Sequence, residues 1–239
     1  MYNRTSLNNT GLHLKFTDKK VICFDLDGTL IDSVPDLALA VNEMLQTLGR
    51  ETFDEDTIRY WVGNGSQTLV KRALVGKREF DEEEIDETLF QKAHRIFLEA
   101  YDKHLCEATK AFPGVIDTLQ ELKNRGYRLS IITNKPAQFV APILEGLGFG
   151  DLIESYVGGD CLPKKKPDPL PLTHMCKQMG MSIEESVMVG DSKNDILAAN
   201  ACGMQSIGVS YGYNYGEDIH TYNPTVVVAK FEEVLDLFI

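Results

Sequence analysis

From Pro113 to the end of the chain, short apolar runs alternate with amphipathic stretches that stop at glycine. Strand-like runs fall at residues 128–133, 154–157, 186–189, 205–209 and 224–228, with helical periodicity at 115–125, 136–147, 170–179, 194–202 and 231–237. An earlier run, Val21-Ile22-Cys23-Phe24, adds one more strand. Apolar strands separated by helices pair in parallel, because the helix carries the chain back to the start of the next strand. The expected fold class is α/β, a Rossmann-like parallel sheet with helices on both faces. Ligands of such sheets bind beyond the carboxyl ends of the strands.

The grammar differs between residues 33 and 112. Helical segments are expected at 34–48, 54–62, 66–75 and 82–104, and no strand pattern interrupts them. In the first, Val34, Leu37, Ala38, Val41, Leu45 and Leu48 share one face, Ser33 is placed to cap it and Gly49 to stop it. This pattern predicts an all-helical cap domain at 33–112, inserted into a core made of 20–32 and 113–239. Residues 1–19 are polar, lack the apolar stretch of a signal peptide and read as a loose leader. The acidic run at 79–87 reads as a solvated helix N-terminus, where the dipole favours carboxylates.

Four motifs sit where the strands should end. The first is Asp25-Leu26-Asp27-Gly28-Thr29-Leu30. Residues i and i+2 of a strand point the same way, so Asp25 and Asp27 can converge on one substrate atom. Two acids this close do not both ionise freely without a cation between them, which suits one as nucleophile and the other as proton carrier. A strand end followed by an Asp-Gly turn would look the same. Next come Thr133-Asn134-Lys135 after an apolar strand, then Lys166-Pro167-Asp168-Pro169, then Gly190-Asp191-Ser192-Lys193-Asn194-Asp195.

In this order the motifs resemble those of the haloacid dehalogenase superfamily of phosphohydrolases, in the branch with an α-helical, C1-type cap. The resemblance implies Asp25 as nucleophile and Asp27 as general acid and base. It implies Thr133, Asn134 and Lys166 as phosphate-binding groups, with Mg2+ held by Asp25, Asp191 and the Asp27 carbonyl and supported by Asp195. Lys135 competes with Lys166 for its role, while Lys164 and Lys165 read as solvated lysines. Dehalogenases and phosphonate-cleaving relatives lack an acid at the position of Asp27, so its presence favours phosphate-ester chemistry. Asp168 departs from the family pattern, which leads one to expect histidine there.

Within the helical insertion, Trp61-Val62-Gly63-Asn64-Gly65 and Lys71-Arg72-Ala73-Leu74 resemble the bacterial phosphoglycolate phosphatases. So does Tyr211-Gly212-Tyr213-Asn214-Tyr215-Gly216, which would otherwise pass for a surface loop. The resemblance implies hydrolysis of 2-phosphoglycolate to glycolate and phosphate, and a cap that recognises the carboxylate. Arg72 is the candidate partner, with Lys71 behind it and Asn64 in a flexible glycine loop. Alternatives are a phosphatase acting on a sugar phosphate or nucleoside monophosphate, a β-phosphoglucomutase-like phosphotransferase, and a phospho-acceptor signalling domain. Asp27 and the insertion count against the last.

Composition narrows the partners. A net charge of −12 argues against nucleic acid and leaves a small-molecule phosphate ester as the expected partner. No apolar run approaches the ~20 residues that span a bilayer, so no membrane is expected. The five cysteines, Cys23, Cys106, Cys161, Cys176 and Cys202, form no CxxC pair, and the histidines show no zinc spacing. A cytoplasmic protein, monomer or homodimer, is expected.

Overall fold

The computed structural model describes residues 15–239. In chain order its elements begin with β1 (Val21–Phe24), β2 (Ile31–Asp32), α1 (Val34–Thr47), α2 (Glu55–Arg59), α3 (Ser66–Val75) and α4 (Glu87–Lys103). There follow β3 (Lys110–Ala111), α5 (Val115–Asn124), β4 (Arg128–Ile132), α6 (Val140–Gly146) and β5 (Ser155–Val157). The last are α7 (Leu170–Met179), β6 (Ser186–Gly190), α8 (Lys193–Cys202), β7 (Gln205–Val209) and β8 (Val226–Val228).

The main sheet has the order β5-β4-β1-β6-β7-β8, and every neighbouring pair is parallel. In β1 the alternate residues Ile22 and Phe24 join one apolar cluster, with α5, α6 and the turn Phe231–Leu237. Val21 and Cys23 join a second cluster with α7 and α8 on the opposite face. Burial on both faces explains why these strands read as continuous apolar runs. Fully burying each such side chain contributes about 1.5–3 kcal/mol. The chain leaves β1 with β4 on one side and β6 on the other, so the crevice between the outgoing loops lies at a topological switch point.

Helices α1 to α4 pack on one another, with α1 against α4 and α3 against α4. A short antiparallel ribbon ties the two ends of this helical stretch, pairing Ile31 with Ala111 and Asp32 with Lys110. The sequence reading contains no such ribbon, because two-residue strands carry no periodicity. Buried Asp36 of α1 reinforces it by accepting from the amides of Ala108 (2.8 Å) and Thr109 (2.9 Å).

Three expected helices differ. The one expected at 82–104 divides into a 3-10 turn, Glu82–Glu84, and α4, because the Asp86 carboxylate accepts from Leu89 N–H (3.0 Å) and starts a new helix there. The stretch at 136–147 opens as a 3-10 turn, Ala137–Phe139, before α6, and Phe231–Leu237 is 3-10 throughout. Of the expected leader, residues 1–14 lie outside the described residues. Phe16 is buried, bridges Phe238 in parallel and packs on its ring at 5.4 Å. Among the described residues, no helix is long and apolar enough to cross a membrane.

Candidate active site

β1 delivers Asp25 to the carboxyl edge of the sheet, where its amide donates to the Val189 carbonyl of β6 (2.9 Å). Gly28 then turns the chain at φ 86°, a region that penalises side chains, and a Cβ there would strike the Asp191 carboxylate. Gly212 also leaves no room for a side chain, since a Cβ there would collide with Asp191. Asp25 and Asp27 line one cavity, as their spacing predicts.

Three carboxylates converge: one oxygen each from Asp25, Asp191 and Asp195 lies within 4.8 Å of the others. Each is held by named donors. Asp25 Oδ1 accepts from Leu26 N–H (2.7 Å) and pairs with Lys166 Nζ at 3.0 Å. Asp191 accepts from Thr29 Oγ1 (2.8 Å) and Tyr213 N–H (2.7 Å). Asp195 Oδ1 accepts from Lys166 Nζ (2.6 Å), and its Oδ2 accepts from the amide and hydroxyl of Ser192 (3.1 and 2.9 Å). Asp195 thereby fixes both the lysine and the loop that carries Asp191.

The electrostatics are those of an anionic cluster with too little counter-charge. Burial pushes the Asp25 carboxyl up to about 7; Lys166 opposes the rise and Asp195 adds to it. Asp191 is raised by burial and by the charges of Asp195 and Asp25. Burial works against the Lys166 ammonium, yet Asp195 and Asp25 more than offset it and its pKa is raised. Hard, anionic oxygens in a pocket that resists their ionisation form a donor set that fits a divalent cation of the Mg2+ kind. Asp25 and Asp191 would be its direct carboxylate ligands, with Asp195 beside them neutralised by the Lys166 ammonium.

Asp27 has a separate environment. Its Oδ1 accepts from Lys135 Nζ at 2.8 Å and from Ser33 Oγ at 2.5 Å. Ser33 sits at the N-cap of α1 but makes no side-chain cap, because its hydroxyl is committed to Asp27. Burial opposes the Lys135 charge, and Asp27 restores it, leaving the ammonium firmly protonated. Thr133 and Asn134 line the same cavity. Asn134 Nδ2 donates to the carbonyls of Gly63 (3.1 Å) and Lys166 (3.0 Å), binding the glycine loop to the core.

The cap residues expected near the substrate go elsewhere. Arg72 is buried, and its guanidinium donates to the carbonyls of Trp61 (2.6 Å) and Arg78 (2.8 Å). Lys71 pairs with Glu82 (2.6 Å) and lies over the Phe90 ring. Neither lines the cavity. Arg72 is drawn inward by backbone carbonyls left open at the end of a short helix, a demand invisible in the sequence. Asn64 Oδ1 accepts from Tyr215 Oη (2.8 Å), and its carbonyl accepts from Lys165 Nζ (2.5 Å). Lys165 is therefore docked against the glycine loop, whereas Lys164 pairs with Asp168 (2.9 Å) in solvent. Tyr213 and Tyr215 are buried, so the Tyr/Gly stretch is a seam and no surface loop. Sequence reasoning misses Ser33 and Lys135 as partners of Asp27, although it weighs Lys135 as an alternative to Lys166. Cys23 is buried with its thiol pushed up to about 12 by burial, which keeps it an unreactive core residue.

A parallel sheet whose central strand ends in a cluster of carboxylates suited to a cation, with a buried lysine beside them, is the framework of an aspartate-centred hydrolase on a Rossmann-like core. The chain belongs to the haloacid dehalogenase-like hydrolases, whose family model matches residues 22–209. It is 52% identical over 222 residues to a phosphoglycolate phosphatase of Colwellia psychrerythraea, covering 93% of this chain and 98% of the relative. A phosphoglycolate phosphatase of Psychrobacter arcticus is 50% identical, over 92% of this chain and 95% of the relative. The crystal structure of a predicted phosphoglycolate phosphatase from Haemophilus somnus superposes with a TM-score of 0.84 at 36% identity, covering 92% of this chain and 97% of that one.

Proposed function

We propose that the chain is a Mg2+-dependent phosphomonoesterase that hydrolyses 2-phosphoglycolate to glycolate and phosphate through an aspartyl-phosphate. The observation that carries this reading is the meeting of Asp25, Asp27 and Thr133 in one small cavity of about 40 Å3, with Lys166 bonded to Asp25 from behind. The names of the relatives supply the substrate.

Asp25 attacks phosphorus, and the ester oxygen departs with a proton from Asp27. Both donors to Asp27 sit on Oδ1, so Oδ2 is the oxygen free to carry that proton. Asp27 next takes a proton from water as it attacks the aspartyl-phosphate, which returns Asp25 and releases phosphate. Thr133, the Asn134 amide and Lys166 offset the charge of the phosphoryl oxygens. A bound Mg2+, held by Asp25, Asp191 and the Asp27 carbonyl, supplies further charge neutralisation and alignment. Residues 33–112 serve as the cap over a core of 20–32 and 113–239. The five cysteines are free, as suits a cytoplasmic enzyme, working as monomer or homodimer.

The experiment is phosphate release from 2-phosphoglycolate, glucose phosphates, nucleoside monophosphates and p-nitrophenyl phosphate, with Asp25→Asn as the blank. A preference for 2-phosphoglycolate of about a hundredfold in kcat/KM is expected, roughly 3 kcal/mol of discrimination. A flat profile, or a peak on a sugar phosphate, removes the substrate assignment.

A further inference from the structure

Buried hydroxyls in folded proteins find partners, so an orphan at a binding cavity points to what is bound there. Tyr101, on the inward face of α4, is 1% exposed. Its hydroxyl makes no well-formed hydrogen bond among the described residues, although the Lys135 ammonium lies beside it, and the side chain lines the cavity that holds Asp25 and Asp27. The ring cannot turn away to find a partner. It stacks on Phe97 at 5.9 Å, meets Phe139 edge-on at 4.9 Å and carries the Lys135 ammonium 4.7 Å from its centroid. Burial also pushes the phenol pKa up, so the group stays a donor.

The rest of the lid side is almost wholly apolar. Leu37, Val62, Leu69 and Phe97 face the cavity, and the other polar side chain there is Ser66, whose Oγ lies 3.0 Å from His94 Nε2. A carboxylate entering such a pocket needs a donor and nearby positive charge. Tyr101 with Lys135 beneath its ring provides both.

We propose that Tyr101 is the specificity-determining residue of the leaving-group subsite, its hydroxyl donating to the carboxylate of a two-carbon phosphate ester. This deepens, and rests on, the reading of the chain as a phosphatase for 2-phosphoglycolate. It moves carboxylate recognition from Arg72, which is turned into the helical packing, to a residue whose sequence context reads only as core.

The test compares 2-phosphoglycolate with ethyl phosphate, the same two-carbon ester without the carboxylate, in wild type and Tyr101→Phe. The expected result is a fall of at least tenfold in the ratio of the two kcat/KM values, carried mainly by KM for 2-phosphoglycolate. Removing an orphan hydroxyl should leave the melting temperature of the free enzyme level or higher. A ratio within twofold of wild type overturns the proposal. So does an equal loss on both esters with a melting point lower by more than about 4 °C, which marks the hydroxyl as structural. Should wild type itself cleave ethyl phosphate as efficiently as 2-phosphoglycolate, the parent reading falls and the proposal with it. That outcome is separable, because it appears before any substitution is made.

Discussion

Lys135 Nζ lies 2.8 Å from Asp27 Oδ1, and both side chains are largely withdrawn from solvent. The pair holds Asp27 by one oxygen and leaves the other, the one proposed to carry the proton, uncommitted. Lys135→Met leaves the carboxylate without its buried partner, a change that costs about 3–5 kcal/mol when burial is complete. We expect kcat to fall at least tenfold and the urea midpoint to drop. A variant within twofold of wild type in kcat would detach Lys135 from the chemistry.

Asp25 sets a pH dependence whose sign is fixed by burial. Its folded-state pKa, about 7, lies above the ordinary 3.8. Between those values the native state binds the extra proton, so this group's contribution to stability declines as pH rises through that window. Asp25→Asn removes the decline. The metal-free variant should therefore melt above metal-free wild type at pH 8, with a smaller gap at pH 5, while phosphate release disappears. Equal melting curves at both pH values would contradict the anionic strain inferred here.

Divalent cation should reverse that strain. A cation that binds only the native state stabilises it by about 2.7 kcal/mol at a hundred times its Kd. Protons compete for Asp25 and Asp191, both of which have raised pKa values. The Mg2+-induced rise in Tm should thus be larger at pH 8 than at pH 5.5, and chelation should abolish turnover. A rise independent of pH would place the cation elsewhere.

Arg72→Ala tests the packing role given to that guanidinium. It strips donors from the buried Trp61 carbonyl and the part-buried Arg78 carbonyl, an orphaned buried acceptor costing about 1–3 kcal/mol. Stability should fall, and kcat/KM should drop by similar factors on 2-phosphoglycolate and p-nitrophenyl phosphate. A loss confined to 2-phosphoglycolate would return Arg72 to the substrate.

The elements most legible in the sequence are those with both a periodic face and a stop signal. Helix α7 ends at Gly180 and strand β7 spans 205–209, both at the bounds the pattern predicts. Helix α3 likewise starts where the glycine loop releases it. Strand-end placement also brings Asp25, Asp27, Thr133, Lys166 and Asp191 to one edge of the sheet by reasoning from spacing and resemblance. What spacing cannot give is direction across the seam between helices and sheet. Arg72 faces inward because Trp61 and Arg78 expose carbonyls, and Ser33 forgoes its cap because Asp27 lies nearer. Tyr101 sits at a helical period that marks it as core, and only the three-dimensional structure reveals that it lines the cavity with its hydroxyl unpaired.

Lys165 and Lys166 are consecutive, yet one ammonium grips the carbonyl of Asn64 and the other grips Asp25 and Asp195. A single peptide bond thus ties the glycine loop that borders the cavity to the carboxylates at its floor. A substitution that displaces Lys165 would therefore be felt at Asp25 through Lys166, although Lys165 itself touches neither carboxylate.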